Sequence, residues 1–349
     1  MCAAASFTNN EVDALKLTLA GLLSFSLLSG AAFAASRAPI TLPIPGGHAG
    51  VDLDDIAFVP ALDRIVVPAG QTGSLLLIDP ANLATSEIRG VTAPAADGQI
   101  PQGAATTSVN YGDGYLFASN HAPTQVVMID AHSGKVVNRT ALASGPDYVR
   151  YLASSSEVWV TEPRAKQIQV FRFSKKPAPA LTAVATINVP GGPESLVFDL
   201  ARHRAYTNLW GSETVAIDTR SHALAAHWKN SCKGSRGLAL DEVHAHLFVG
   251  CTEGEVVTLD VAHGGKQIAS APAGEGIDII SYSPALHRLF VPGGKSANLT
   301  VFNVAAAGTF TLKGTWPAAG HSHCVADDDH GNAFVCDPRG GNVLVYRTH

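Results

Sequence analysis

Charge is scarce in this sequence. Only 15% of its 349 residues are Asp, Glu, Lys or Arg, and the formal net charge is −5. A disordered polyampholyte and a coiled coil need far more charge, so both are excluded. The acidic balance also excludes a protein that works by general attraction to nucleic acid, although it leaves room for a local basic patch. Sustained helical periodicity is missing after residue 34. There is no G-x-S-x-G, which leaves nucleophilic hydrolysis with little support, and no C-x-x-C-H, which excludes covalent haem. Gly-x-Gly occurs only in loops with no helix after them, so neither a dinucleotide fold nor a P-loop fits. What the chain has in quantity is turn residues, 33 Gly and 20 Pro, among short apolar runs.

Long hydrophobic runs are confined to the start. Leu17 to Ala34 carries no charge and ends in Ala32-Phe33-Ala34, an A-x-A cleavage signal ahead of Ala35. Residues 1–34 therefore read as a secretory signal peptide, with a single domain over 35–349 and a secreted or periplasmic destination. The competing reading is an N-terminal membrane anchor, which the small residues at the end of the run disfavour. Glu11 and Asp13 outweigh Lys16, so the leading region is not basic and the true start of translation is open.

The remainder repeats. A polar residue followed by a short apolar strand begins at Arg64, Tyr115, Glu157, Arg204, His246, Arg288 and Asn332, at spacings of 51, 42, 47, 42, 42 and 44. A second strand ends at Asp79, Asp130, Arg172, Asp218, Asp260, Asn303 and Arg347, with nearly the same spacings. Two markers in one register make seven units. Each unit has a further strand before the pair, such as 194–200, and all but the seventh have one after it, such as 181–189. Four short strands per unit of about 45 residues describe an all-β, seven-bladed β-propeller. The seventh unit lacks its last strand. Residues 38–47 (APITLPIPGG) match 184–192 (VATINVPGG), so the N-terminal segment is expected to supply that outer strand and close the ring.

Arg204-Ala-Tyr-Thr-Asn, Arg288-Leu-Phe-Val, Val215-Ala-Ile-Asp-Thr and Val189-Pro-Gly-Gly-Pro resemble the YVTN-repeat propellers, in particular their secreted YncE-like members. The resemblance implies the fold and says little about function, because such propellers serve as surface proteins, ligand binders and enzymes. The GH and WD signatures of WD40 repeats are absent.

In a propeller the first strand of each blade lies against the central channel. Ten residues before the first marker stand Asp54, Asp147, Glu194, Arg236, Asp278 and Ser322, and apolar alignment of the second unit adds Thr107. These seven are expected to gather at one channel mouth. One reading is a polar ring that binds a ligand or cation; the other is a mouth lined by water. Carboxylates suit Ca²⁺ or Mg²⁺, and imidazole favours Zn²⁺. As a metal set Asp147, Glu194 and Asp278 are the choice. His321 and His323, two apart on an expected strand, would face the same side. The Asp327-Asp328-Asp329 run reads as a solvated outer turn.

Cys232 and Cys251 bracket one hairpin of the fifth unit, and Cys324 and Cys336 the equivalent hairpin of the seventh. In an exported chain these pairs read as disulfides, with free buried thiols or a Cys/His metal site as alternatives. The function expected is binding of a small ligand, peptide or protein at the channel face. The alternative is a metal-dependent lactonase- or lyase-like enzyme at the channel mouth, with His321 or His323 as acid/base. No membrane span is expected after signal cleavage.

Overall fold

A computed structural model of the chain describes residues 38–349. Its seven sheets each hold four antiparallel strands, in six of them taken in chain order from the channel outward. Blade one comprises Ala57–Val59, Arg64–Pro68, Leu75–Ile78 and Thr85–Ile88. Blade four comprises Val197–Asp199, Arg204–Leu209, Glu213–Asp218 and Leu224–Lys229. The seventh blade completes itself from the other end of the chain. Its strands Val325–Asp327, Asn332–Asp337 and Asn342–Arg347 are joined by Ile40–Pro43 as the outer strand. Ile40 pairs with Val345 and Pro43 with Asn342, as the match of 38–47 to 184–192 predicts.

The burial patterns explain why one sequence gives these strands. Second and third strands are sandwiched between neighbouring blades and are buried on both faces, as in Glu157–Glu162, which is buried throughout with Val158, Trp159 and Val160 at its centre. Outer strands face water on one side and alternate, as in Lys135–Ala141. Two residues after six of the seven first markers stand Phe117, Trp159, Tyr206, Phe248, Phe290 and Phe334, among the largest fully buried side chains, while blade one has Val66 there. Several of them join the seam to the next blade. Phe117 clusters with Val149, Val158 and Val160 of blade three, and Phe248 with Ile277, Tyr282 and Leu289 of blade six. Burying one such aromatic is worth about 3–5 kcal/mol against Ala.

The polar first marker also has a physical cause. In all seven blades the residue just before it has positive φ: Asp63, Ser156, His203, Ala245 and His287 at 49° to 60°, and the glycines Gly114 and Gly331 at 92° and 97°. That residue closes the tight hairpin from the innermost strand to the second, and the marker follows where the chain leaves the turn.

The expected signal segment, residues 1–34, lies outside the described residues. Among the described residues, no helix is long and apolar enough to cross a membrane. Cys232 and Cys251 form one disulfide (Cα–Cα 5.1 Å), and Cys324 and Cys336 the other (5.6 Å).

Candidate functional site at the channel mouth

The innermost strands are short, so most of the mouth residues sit in extended segments just before them. Asp54, Asp147, Glu194 and Asp278 are such residues, while Thr107 and Arg236 lie within their strands. Backbone bonds fix the segments. Asp147 N–H donates to Thr161 O (2.9 Å), Glu194 N–H to Asn208 O (2.9 Å) and Gly237 N–H to Asp278 O (2.6 Å). Each blade thus offers its side chain to the axis from a position held by its own second strand or its neighbour.

The four carboxylates converge. Burial pushes Asp54 and Asp147 well above the usual carboxylate range, and neighbouring acids push them further. For Asp54 those neighbours are Asp278, Asp55 and Glu194; for Asp147 they are Asp54, Glu194, Asp278 and Asp55. Glu194 is raised to about 8, first by burial and then by Asp278, against the pull of Arg236. Asp278 is raised by burial against His323 and Arg236. Arg236 Nε stands 3.4 Å from Glu194 Oε1, and its guanidinium lies 5.8 Å from the ring centre of the half-exposed Trp210. Arg236 lies beside Glu194 and Arg150 is committed to Asp55, so countercharge falls short of the clustered acids.

A cavity of about 570 Å³ opens here, lined among others by Asp52, Asp54, Thr107, His121, Asp278 and His323. Asp54, Asp278 and His323 each place one ligand atom within 4.8 Å of the others. The trio chosen from sequence, Asp147, Glu194 and Asp278, is not the set brought closest. Thr107 Oγ1 is 3.0 Å from His121 Nε2, and burial lowers the His121 pKa. His121 was not singled out from the sequence. The signal for it was available: it follows the second strand of its blade, which runs back toward the mouth.

Three expectations change. Residues 321–323 are not a strand. His321 lies in a turn with φ 69°, and His323 Nδ1 bonds to His321 O at 2.6 Å, so the two imidazoles do not form the same-side pair expected. Both still line the cavity. Ser322 is fully buried and its hydroxyl lacks a hydrogen-bond partner among the described residues, so it sits behind the cavity wall. The run Asp327-Asp328-Asp329 is no solvated turn. Asp327 and Asp328 are buried, and Asp328 accepts from the backbone of His330 and Asn332 and from Asn332 Nδ2. Asp327 accepts from Ser281 Oγ at 2.7 Å, and burial raises its pKa to about 6. It helps line a second cavity of about 310 Å³ with Asp55, Tyr148 and Arg150.

No protein-family model matches the chain, and no curated protein matches it. Among solved structures, a chain of the mitotic checkpoint complex is similar over 97% of this chain and 99% of its own, with a TM-score of 0.71 at 14% identity. The β-propeller domain of Myceliophteria thermophila Cps50 (Swd1) is similar over 88% of this chain and 99% of its own, at 0.68 and 12%. At such identities the likeness shows the fold. The chain is a seven-bladed β-propeller, an architecture common among protein-interaction scaffolds.

Proposed function

We propose that this chain is an exported binding propeller of the YVTN-repeat, YncE-like kind, and that its channel mouth takes a positively charged ligand. One observation carries the reading: acids from four blades are raised together at the channel mouth, by burial and for three of them by one another, and two of them, Asp54 and Asp278, line its cavity with His323. A cation entering the ring displaces protons from these groups and relieves their repulsion. Export is supported by the uncharged Leu17–Ala34 run and by two disulfides, which persist in oxidising compartments. N-terminal sequencing of exported material should begin at or near Ala35. A calorimetric titration with Ca²⁺, Mg²⁺ and spermidine, repeated in buffers of different ionisation enthalpy, tests the site. Binding with net proton release near pH 7, lost in Asp54→Asn/Asp278→Asn, supports it. No heat with any of these cations sinks it.

A second reading rests on the Asp54, Asp278 and His323 set, whose ligand atoms lie close enough for one metal ion. It makes the mouth a metal-dependent lactonase- or lyase-like centre. Lactone hydrolysis that a chelator abolishes, and that His323→Ala removes, would favour it over simple binding.

A further inference from the structure

The residue seven places after the first marker stands just past the second strand of its blade, on the side of the channel mouth. In three blades it is bonded to the loop 19 or 20 residues earlier, ahead of its own innermost strand. Gln71 Nε2 donates to Asp52 Oδ2 at 2.6 Å, and Gln71 Oε1 accepts from Asp52 N–H at 2.8 Å. Lys295 Nζ donates to Glu275 Oε2 at 2.5 Å. In blade five the roles are reversed, and Glu253 accepts from the backbone N–H groups of Lys233 and Gly234. Blade seven breaks the pattern. Its residue is Arg339, and 19 and 20 places earlier stand Gly320 and Ala319, which offer no acceptor side chain.

Arg339 is therefore a cation without its usual partner. Its guanidinium lies against the bare Gly320 backbone, where an added Cβ would come 3.1 Å from Nη1 and 3.3 Å from Cζ, and it makes no ion pair or side-chain hydrogen bond among the described residues. It lines the same 570 Å³ cavity as Asp54 and Asp278 and pairs with neither. Those two carboxylates are also open. No described residue donates a hydrogen bond to them, and His323 Nε2 stands 4.0 Å from Asp54 Oδ1. Arg164 holds the same place in blade three but does not line this cavity. Beyond Arg339 the cavity adjoins another of about 730 Å³, which shares His321 and His323 with it and has Gly276, Gly294 and Gly320 in its wall.

Unpaired charges of both signs on one cavity, too far apart to meet, suit a molecule that carries both. A guanidinium takes a carboxylate through two parallel N–H···O bonds, a geometry that an ammonium cannot offer. The ligand's cation must sit away from its carboxylate, since Arg339 does not reach the acids. A lysine or arginine side chain, with its charge on a flexible stem, meets that demand; an α-ammonium, on the same carbon as the carboxylate, does not. We propose that the mouth recognises a basic amino acid with a free α-carboxylate, its side-chain cation on Asp54 and Asp278 and its carboxylate on Arg339. This rests on the cationic-ligand reading above and adds the anion that the same ligand carries. The adjoining cavity gives room for residues that precede such an amino acid at the C-terminus of a peptide.

Calorimetric titration of the parent compares L-lysine with cadaverine, which is lysine without its carboxylate, and Gly-Gly-Lys with its C-terminal amide. Lysine and the free-acid peptide should each bind about tenfold tighter than the counterpart that lacks the carboxylate. Arg339→Gln should erase that advantage and leave cadaverine binding no weaker. Gly320→Glu, which gives Arg339 an acidic partner like that of Lys295, should do the same with the arginine still present. Asp54→Asn/Asp278→Asn should abolish binding of all four ligands. Melting curves establish that each variant is folded. Tighter binding of the peptide than of lysine assigns the site to a chain terminus, and the reverse assigns it to the free amino acid. If cadaverine binds the parent and the carboxylate adds nothing, or if Arg339→Gln keeps the advantage, this inference is overturned and the cationic-ligand reading stands. Heat with Ca²⁺ or spermidine but with none of the four ligands has the same meaning, and no heat with any of them overturns both.

Discussion

Arg150 of blade three clasps Asp55 of blade one. Nη1 stands 2.5 Å from Oδ2 and Nη2 3.0 Å from Oδ1, across 95 residues of sequence. Ser108 of blade two completes the tie. Its hydroxyl donates to the same carboxylate at 2.5 Å and accepts from Val149 N–H at 3.1 Å. Asp55 is 4% exposed, and the guanidinium covers the Tyr148 ring at 4.8 Å. A charge this deep is tolerated because a two-pronged partner and a hydroxyl together satisfy it.

Removing one partner should therefore cost far more than removing both. Arg150→Met leaves Asp55 buried and uncompensated, and should lose about 3–5 kcal/mol of stability. Arg150→Met/Asp55→Asn should recover part of that loss. Urea denaturation of the three proteins measures the difference. A single variant as stable as the parent would show that the clasp holds nothing.

Closure of the ring makes a separate prediction. Ile40–Pro43 covers the edge of Asn342–Arg347 through four paired positions. Deleting residues 38–43 removes several backbone hydrogen bonds, each worth about 1 kcal/mol, and bares a strand edge. The melting temperature should fall by several degrees and the protein should associate at high concentration. A deletion variant that melts like the parent and stays monomeric would leave the seventh blade independent of its fourth strand.

The repeat made the fold legible because each blade meets the same demand. A polar residue leaves the hairpin turn, apolar residues fill the seam, and an aromatic such as Phe248 or Phe290 enters two positions later. The shared offset of Asp54, Asp147, Glu194 and Asp278 made their meeting legible for the same reason. What escaped was set by departures from the repeat. His321 turns left-handed, which no pattern of alternation reveals, and this removes the expected strand. Asp327 and Asp328 looked like surface acids because charge in a turn normally is. They are buried because Ser281, Asn332 and local backbone donors satisfy them. The clasp of Arg150 on Asp55 joins blades one and three, a contact that no single repeat contains.

The two disulfides should be found directly by peptide mapping without reduction. They close loops with sequence separations of 19 and 12 residues. On the chain-entropy account each stabilises by about 3 kcal/mol. Reductant should therefore lower the denaturation midpoint, and Cys232→Ser/Cys251→Ser should reproduce part of that drop without reductant. Four free thiols in exported protein, or the crossed pairing, would contradict this.

Glu194 sets the pH dependence of stability in the absence of a ligand. In the folded chain it holds its proton up to about pH 8, whereas an ordinary glutamate releases it near 4.5. Between those values the folded state binds a proton that the unfolded chain does not, so raising the pH lowers stability. The contribution is whole below about 4.5 and gone above about 8. Asp54, Asp147 and Asp278 are raised by the same burial and act in the same direction. Melting curves of the ligand-free protein should therefore shift downward through this window, by roughly 2 °C for each kcal/mol at this chain size. Glu194→Gln should flatten the profile, since glutamine does not titrate and keeps nearly the same shape. A saturating cation should flatten it too, by taking the place of the protons. A parent profile that rises from pH 5 to pH 8, or one that Glu194→Gln leaves unchanged, would show that the carboxylates ionise freely and that the mouth has no need of a cation.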